Sequence, residues 1–202
     1  MDKVIDIDLN KERFLQLYNK YIKREGSDKL LKWLADSDFF TAPASSKFHS
    51  AVTGGLCAHS LNVFDRAAEL LENENKKQDS PFKNITMENV AIAALLHDVC
   101  KVNFYEVKLR NVKVDGVWEQ VPYFSVKDSL PYGHGEKSVY IISGFMRLTR
   151  DEAMAINWHM GGFDKRVIGG DYSLSQAFSL YPFSTLIHVA DIMATYFDES
   201  VE

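Results

Sequence analysis

The chain has 202 residues, of which 46% are hydrophobic, and its formal net charge is −5. This length and composition support one hydrophobic core, so we expect a single domain over residues 1–202. The acidic balance, without a dense block of Lys and Arg, argues against a long nucleic acid as partner.

Targeting and membrane-spanning segments are not expected. The N-terminal stretch MDKVIDIDLNKERF lacks the basic-then-apolar order of a signal peptide, and no apolar run approaches the roughly 20 residues that span a bilayer. Cys57 and Cys100 are too few for a disulfide framework and are typical of reduced cytosolic thiols. We therefore expect a cytoplasmic protein without a membrane partner.

The first elements are predicted to be helices. Apolar residues recur with helical spacing from Phe14 to Ile22. Ser27 is then positioned to cap a short helix that ends at Trp33. We assign both helices to an N-terminal segment, residues 1–46.

The next two predicted helices flank a polar loop. One begins near Leu56, after a Gly pair, and the other is capped by Thr86. The second is almost entirely apolar and ends in AALLHDVCK, where His97 is followed at once by Asp98. A carboxylate at the end of a buried helix is costly unless a cation, a metal or hydrogen bonds compensate it.

The periodicity then changes from helical to alternating. Residues 104–126 are rich in Val, Tyr and Phe, with Asp115–Gly116 at their middle, which predicts a β-hairpin. Helices return at about 135–146 and after Thr149, followed by a Gly-rich loop and a last helix over about 183–197. The predicted fold is an all-α domain interrupted by one β-hairpin.

Polar residues at the ends of these helices are the candidates for chemistry. The chain has six histidines, and several of them lie beside Gly or other small residues at predicted helix ends. Asp191 lies in the apolar stretch LIHVADIMATYF, on one helical face with Ser184 and His188. That face is either an ordinary solvent-exposed face or part of a metal site, since bundles assemble such sites from separate helices.

Three segments together resemble the HD superfamily of metal-dependent phosphohydrolases, whose signature is H…HD…D. They are GGLCAHS, LLHDVCK and HVADIMAT, and the resemblance covers about residues 47–197. It implies that His59, His97, Asp98 and Asp191 bind one divalent metal ion. That ion would compensate the buried carboxylate.

The longer pattern of two-metal members, H…HD…H…H…D, is completed by His134 and His159. It implies a second ion on these two histidines, with Asp98 bridging both. The chain departs from the pattern at Trp158–His159, where many two-metal members have a His-His pair, so a one-metal site is the alternative. Mixed His and carboxylate ligands suit Mn, Fe, Ni or Zn better than Mg.

The resemblance also implies residues that act on the substrate. Lys101, in the position of a lysine that lies near the substrate phosphate, would act with Asp98 in catalysis. Lys47 and His49 resemble the corresponding segment of the YhaM-like exoribonuclease branch and would contact phosphate.

The hairpin offers a further set of binding residues. Arg110 lies among aromatic residues that can stack on a base. The alternative is a hairpin that packs on the bundle or on a second copy of the chain. Glu136 is expected either to orient His134 or to lie on a solvated first turn of its helix, and His188 is expected to be a hydrogen-bonding partner of the metal ligands and not a ligand itself.

Together with these residues, the resemblance to the HD superfamily implies a metal-dependent phosphohydrolase that acts on a nucleotide or similar small phosphoester. The alternatives are a 3′–5′ exonuclease on short single strands, a di-iron oxygenase on the same fold, or a nucleotide-sensing module. A homo-oligomer is compatible with each of them.

Overall fold

Helices dominate the computed structural model, which describes residues 5–47 and 50–199. The helices are α1 (Ile7–Tyr21), α2 (Ser27–Asp36), α3 (Gly55–Asn75), α4 (Met87–Leu96), α5 (His134–Ser143), α6 (Arg150–Trp158), α7 (Lys165–Ile168), α8 (Ser173–Leu180) and α9 (Pro182–Met193). The strands are β1 (Tyr105–Val114) and β2 (Val117–Val126). The predicted helical domain with one inserted hairpin is confirmed.

Helix α4 lies at the centre of the core. Every residue from Val90 to Leu96 is completely buried, because α4 packs against α1, α3 and α6. Thr86 caps it as predicted, in a reciprocal capping box with Asn89. Since a helix that is apolar on all sides must be buried, the aspartate that follows it, Asp98, is carried into the interior.

The helices around α4 bring distant parts of the chain together. Helix α9 packs against both α3 and α6. His59 lies in α3, His97 directly follows α4, His159 directly follows α6, and Asp191 lies in α9. The bundle therefore gathers four of the predicted metal ligands.

The hairpin forms at the predicted position. Its strands are antiparallel, with Tyr105 opposite Val126 at the open end. Asp115 and Gly116 have φ of +48° and +88°. Positive φ at both central residues is what a type I′ turn requires, and it explains the Asp-Gly pair.

The base of the hairpin is tied to the bundle on both sides. The Asn103 amide donates to Asp38 Oδ1 at 2.7 Å. On the other side, Lys137 Nζ of α5 donates to Asp128 Oδ1 at 2.5 Å. Because β1 begins shortly after Lys101 and β2 leads towards α5, both ends of the hairpin join segments that carry site residues.

Helix α2 differs from the prediction at both ends. Gly26, not Ser27, is the N-cap, with φ of +87°, and the helix continues past Trp33 to Asp36. A Cβ at Gly26 would lie 1.9 Å from the carbonyl oxygen of Phe145. Only glycine fits at position 26, because the backbone of Phe145, which is distant in sequence, lies against it.

The Gly-rich segment after His159 is more ordered than predicted. It contains a 3₁₀ turn at Gly161–Phe163 and the short helix α7. Asp164 caps α7 by accepting from the amide of Arg166 at 2.8 Å. Helix α8 was not predicted, and the last predicted helix is α9 continued by a π-helical turn at Ala194–Asp198.

Within the ranges described, no single helix is both long and apolar enough to cross a membrane. Only the pair Ser173–Leu180 and Pro182–Asp198, bent by 108°, meets that criterion, and by length and composition alone.

A partly buried ion pair joins three elements on one side of the core. Glu152 of α6 is completely buried and accepts from Arg24 Nη1 at 2.6 Å and Nη2 at 2.9 Å. Asn89 Nδ2 of α4 donates to the same carboxylate at 2.8 Å. The pair therefore holds α4 and α6 to the segment between α1 and α2.

Removing this buried carboxylate should destabilise the fold strongly. Glu152→Ala leaves Asn89 Nδ2 without its acceptor and leaves Arg24 with Glu88 as its remaining carboxylate, and we expect the free energy of unfolding to fall by about 2–3 kcal/mol. The control is Asp65→Ala, since Asp65 and its partner Arg13 are 47% and 43% exposed, and it should cost less than about 1 kcal/mol. Urea denaturation of both variants tests this; equal losses would contradict the assignment.

Candidate metal centre

Two of the histidines are oriented towards the centre by the same local hydrogen bond at a helix end. His97 follows α4 and His159 follows α6, each as the C-cap residue. His97 Nδ1 lies 2.8 Å from the carbonyl oxygen of Ala94, and His159 Nδ1 lies 2.7 Å from that of Ile156. When Nδ1–H donates to a carbonyl, Nε2 keeps its lone pair for a metal.

His59 is held by a carboxylate that the sequence did not reveal. Its Nδ1 lies 2.9 Å from Oε1 of the buried Glu199. Asn62 Nδ2 and Ser50 Oγ also donate to Glu199, at 3.0 and 2.8 Å. His59 Nε2 then faces Asp191 Oδ1 at 3.1 Å. A carboxylate behind a histidine is a common way to orient a metal ligand.

The two oxygens of Asp98 face different pairs of histidines. Oδ2 lies 3.4 Å from His97 Nε2 and 3.8 Å from His59 Nε2. Oδ1 lies 2.8 Å from His134 Nε2 and 3.5 Å from His159 Nε2. This carboxylate therefore stands between two groups of nitrogen donors.

His134 is the most accessible of the four histidines. It is the first residue of α5, and its side chain is 31% exposed. Its Nδ1 lies 3.5 Å from Sγ of the buried Cys100. Cys100 joins Asp98 and His134 in a group whose ligand atoms all lie within 4.8 Å of one another.

Charges within the cluster set one another's protonation. Burial would raise the pKa of Asp98, but Lys101, whose Nζ lies 2.5 Å from Oδ2, and the nearby histidines hold it well below its usual range. Burial would lower the pKa of His59, but Glu199 and Asp191 raise it to about 10. Because metals bind neutral imidazole, a metal would displace a proton from His59.

The residues gathered here fit a metal ion. The cluster supplies imidazole nitrogens and carboxylate oxygens, the donor set of Mn, Fe, Ni and Zn sites. His97, His159 and Asp191 form a further group within 4.8 Å. His159 Nε2 is buried and has no hydrogen-bond partner among the described residues. An orphaned buried nitrogen that faces carboxylates is what a metal would satisfy.

Glu136 does not lie where the prediction placed it. Its Oε1 pairs with Arg166 Nη1 at 2.6 Å instead of contacting His134. Residues two apart on a helix point in different directions, so Glu136 cannot follow His134 to the centre.

His188 contacts the backbone of a predicted ligand. Its Nδ1 lies 2.6 Å from the carbonyl oxygen of His159. Its ring packs on Gly161, where an added Cβ would lie 2.3 Å from His188 Cε1 and where φ is +52°. The contact therefore fixes the chain just after His159 and requires glycine there.

A cavity of about 760 Å³ opens onto the cluster. Its polar lining includes Lys47 and Lys101, and its apolar wall contains Tyr105, Met160, Phe163, Ile192 and Tyr196. Arg110 does not line this cavity but lines a neighbouring one with Lys47. His49 lies outside the described residues.

Comparison with known proteins gives one match. The family model described as HD domain matches residues 56–195, which include all six predicted metal ligands. Neither the curated proteins nor the solved structures contain a match. The chain belongs to the HD-domain family, within the superfamily of metal-dependent phosphohydrolases.

Proposed function

We propose that the chain is a metal-dependent phosphohydrolase that cleaves a phosphoester or phosphoanhydride of a nucleotide or similar small substrate. The observation that carries this proposal is the position of Asp98 between two pairs of histidines. Such a carboxylate suits a centre in which one group bridges two ions.

The ligands divide into two sets in this proposal. His59, His97, Asp98 and Asp191 would hold the first ion, and His134, His159 and Asp98 would hold the second. Divalent ions in such a centre lower the pKa of bound water and polarise a phosphoryl oxygen. The few protein ligands at the second site leave positions for water or substrate.

Lys101 is proposed to contact the reacting phosphate. It lines the cavity, and although burial opposes its charge, Asp98 raises its pKa above the usual value. It is therefore a cation at neutral pH, and its charge can offset the charge of a transferring phosphoryl group.

The apolar wall of the cavity suits the rest of a nucleotide. Phe163 and Tyr196 are 58% and 57% exposed although both line the cavity. Tyr105 lines it as well, and burial raises the pKa of its phenol to about 12, so it is a neutral hydroxyl. Exposed aromatic faces beside a phosphate site are suited to stacking on a base.

Metal analysis of the purified protein, followed by a phosphoester panel, tests the proposal. Nucleoside mono-, di- and triphosphates, cyclic nucleotides and short oligonucleotides should identify the preferred class. Cleavage only of single strands longer than a dinucleotide would instead assign an exonuclease, and metal-dependent oxygen uptake without hydrolysis would assign an oxygenase.

Asp98→Asn should abolish hydrolysis and lower metal content, since the amide keeps the shape of the carboxylate but not its charge. Bound metal by atomic emission and turnover would be measured on the same sample, with circular dichroism as a control for folding. Full turnover in metal-depleted Asp98→Asn protein would rule out metal-dependent chemistry.

The two proposed sites should respond differently to loss of a ligand. His134→Ala and His159→Ala should keep one tightly bound metal but lose turnover by about a hundredfold or more, whereas His59→Ala should lose the first metal. Stoichiometry and activity of the three variants are compared. If His134→Ala and His159→Ala keep both full metal content and full activity, a one-metal centre is the better account.

Glu199→Gln should weaken metal binding although it leaves every proposed metal ligand in place. Loss of the carboxylate behind His59 should reduce affinity at the first site by about 10–100-fold, measured by competition with a chromogenic chelator. The control is Glu69→Gln, whose side chain is 59% exposed. Unchanged affinity in Glu199→Gln would remove Glu199 from the centre.

A further inference from the structure

A second cavity adjoins the one at the metal centre. It has a volume of about 780 Å³ and lies between the hairpin and the residues at 46–47 and 51–53. Ser46 and Lys47 line both cavities, so the two share a wall. A ligand that extends past Lys47 from the metal centre would therefore enter the second cavity.

The lining of this second cavity is cationic. Lys47 and Arg110 line it, and no carboxylate does so among the described residues. Neither cation forms an ion pair with a described carboxylate, in contrast to Arg24 and Arg166. In a chain with more acidic than basic residues, a cavity with two uncompensated cations favours an anionic ligand.

The hairpin also brings aromatic rings to this cavity. Tyr123 and Phe124 of β2 line it, and both are partly buried. Arg110 lies over the Tyr123 ring, with Cζ 5.5 Å from the centroid. Cations beside aromatic faces are the combination that binds the phosphate and base of a nucleotide.

We propose that this second cavity, here called the hairpin cavity, binds a second nucleotide unit of the substrate. The inference rests on the proposed function and specifies its substrate class as a linear dinucleotide with a terminal phosphate. The internal phosphodiester lies at the metal centre near Lys101, and the terminal phosphate lies between Lys47 and Arg110.

The proposed reaction consumes one molecule of water and no other reactant. For the 5′-phosphorylated adenosine dinucleotide pApA, water attacks the internal phosphorus and the bond from phosphorus to O3′ breaks. The released O3′ takes a proton, and the products are two molecules of AMP.

The experiment compares the binding of pApA and ApA, which differ only in the terminal phosphate. Binding to the full chain with its metal is measured by calorimetry, with a methylene group in place of the bridging O3′ in both ligands so that no turnover occurs. The wild-type chain should bind pApA roughly tenfold more tightly than ApA, as expected for a charged hydrogen bond.

Variants locate the origin of this preference. Arg110→Ala should lose most of it, and so should Lys47→Ala, which lies outside the hairpin and tests the site even if Arg110→Ala disturbs the strands. Lys113→Ala removes the same charge from β1 but does not line either cavity, and it should keep the preference.

Equal affinity of the wild-type chain for pApA and ApA would overturn the inference, and so would a preference that survives in both Arg110→Ala and Lys47→Ala. Failure of the proposed hydrolase function is seen separately, as absence of turnover with every metal, and does not alter the binding comparison.

Discussion

The burial of one carboxylate constrains the whole arrangement. Helix α4 is apolar on all sides and ends inside the bundle, so Asp98 is 1% exposed. A charge in that position must be compensated. The chain surrounds it with Lys101, which lies in a 3₁₀ turn at Val99–Lys101, and with four imidazoles from α3, from the C-caps of α4 and α6 and from the start of α5.

Hydrogen bonds to the Nδ1 atoms of the histidines orient their Nε2 atoms towards the centre. His97 and His159 are fixed by carbonyls three residues earlier in their own helices, whereas His59 depends on Glu199 from the far end of the described chain. The first kind of anchoring is local and forms with the helix. The second requires that α9 has already packed on α3, so completion of the centre depends on the tertiary fold.

Features that depend on local sequence could be predicted, whereas features that depend on the tertiary fold could not. The helices, the hairpin with its Asp-Gly turn and the cluster of His and Asp residues follow from periodicity, turn chemistry and a spaced motif. Glu199 follows Asp191 by eight residues, about two helical turns, and that spacing is a signal that could have revealed it. Gly26 and Cys100 depend on contacts distant in sequence, with Phe145 and His134, which no local pattern encodes.

The central proposal is that Asp98 would bridge two metal ions. Crystals grown with Mn²⁺ and measured at the manganese absorption edge test it most directly. The account predicts two anomalous peaks roughly 3.5–4 Å apart, one beside each oxygen of Asp98, with His59 and His97 at one peak and His134 and His159 at the other. Peaks only at other positions, or none at this cluster, would contradict it.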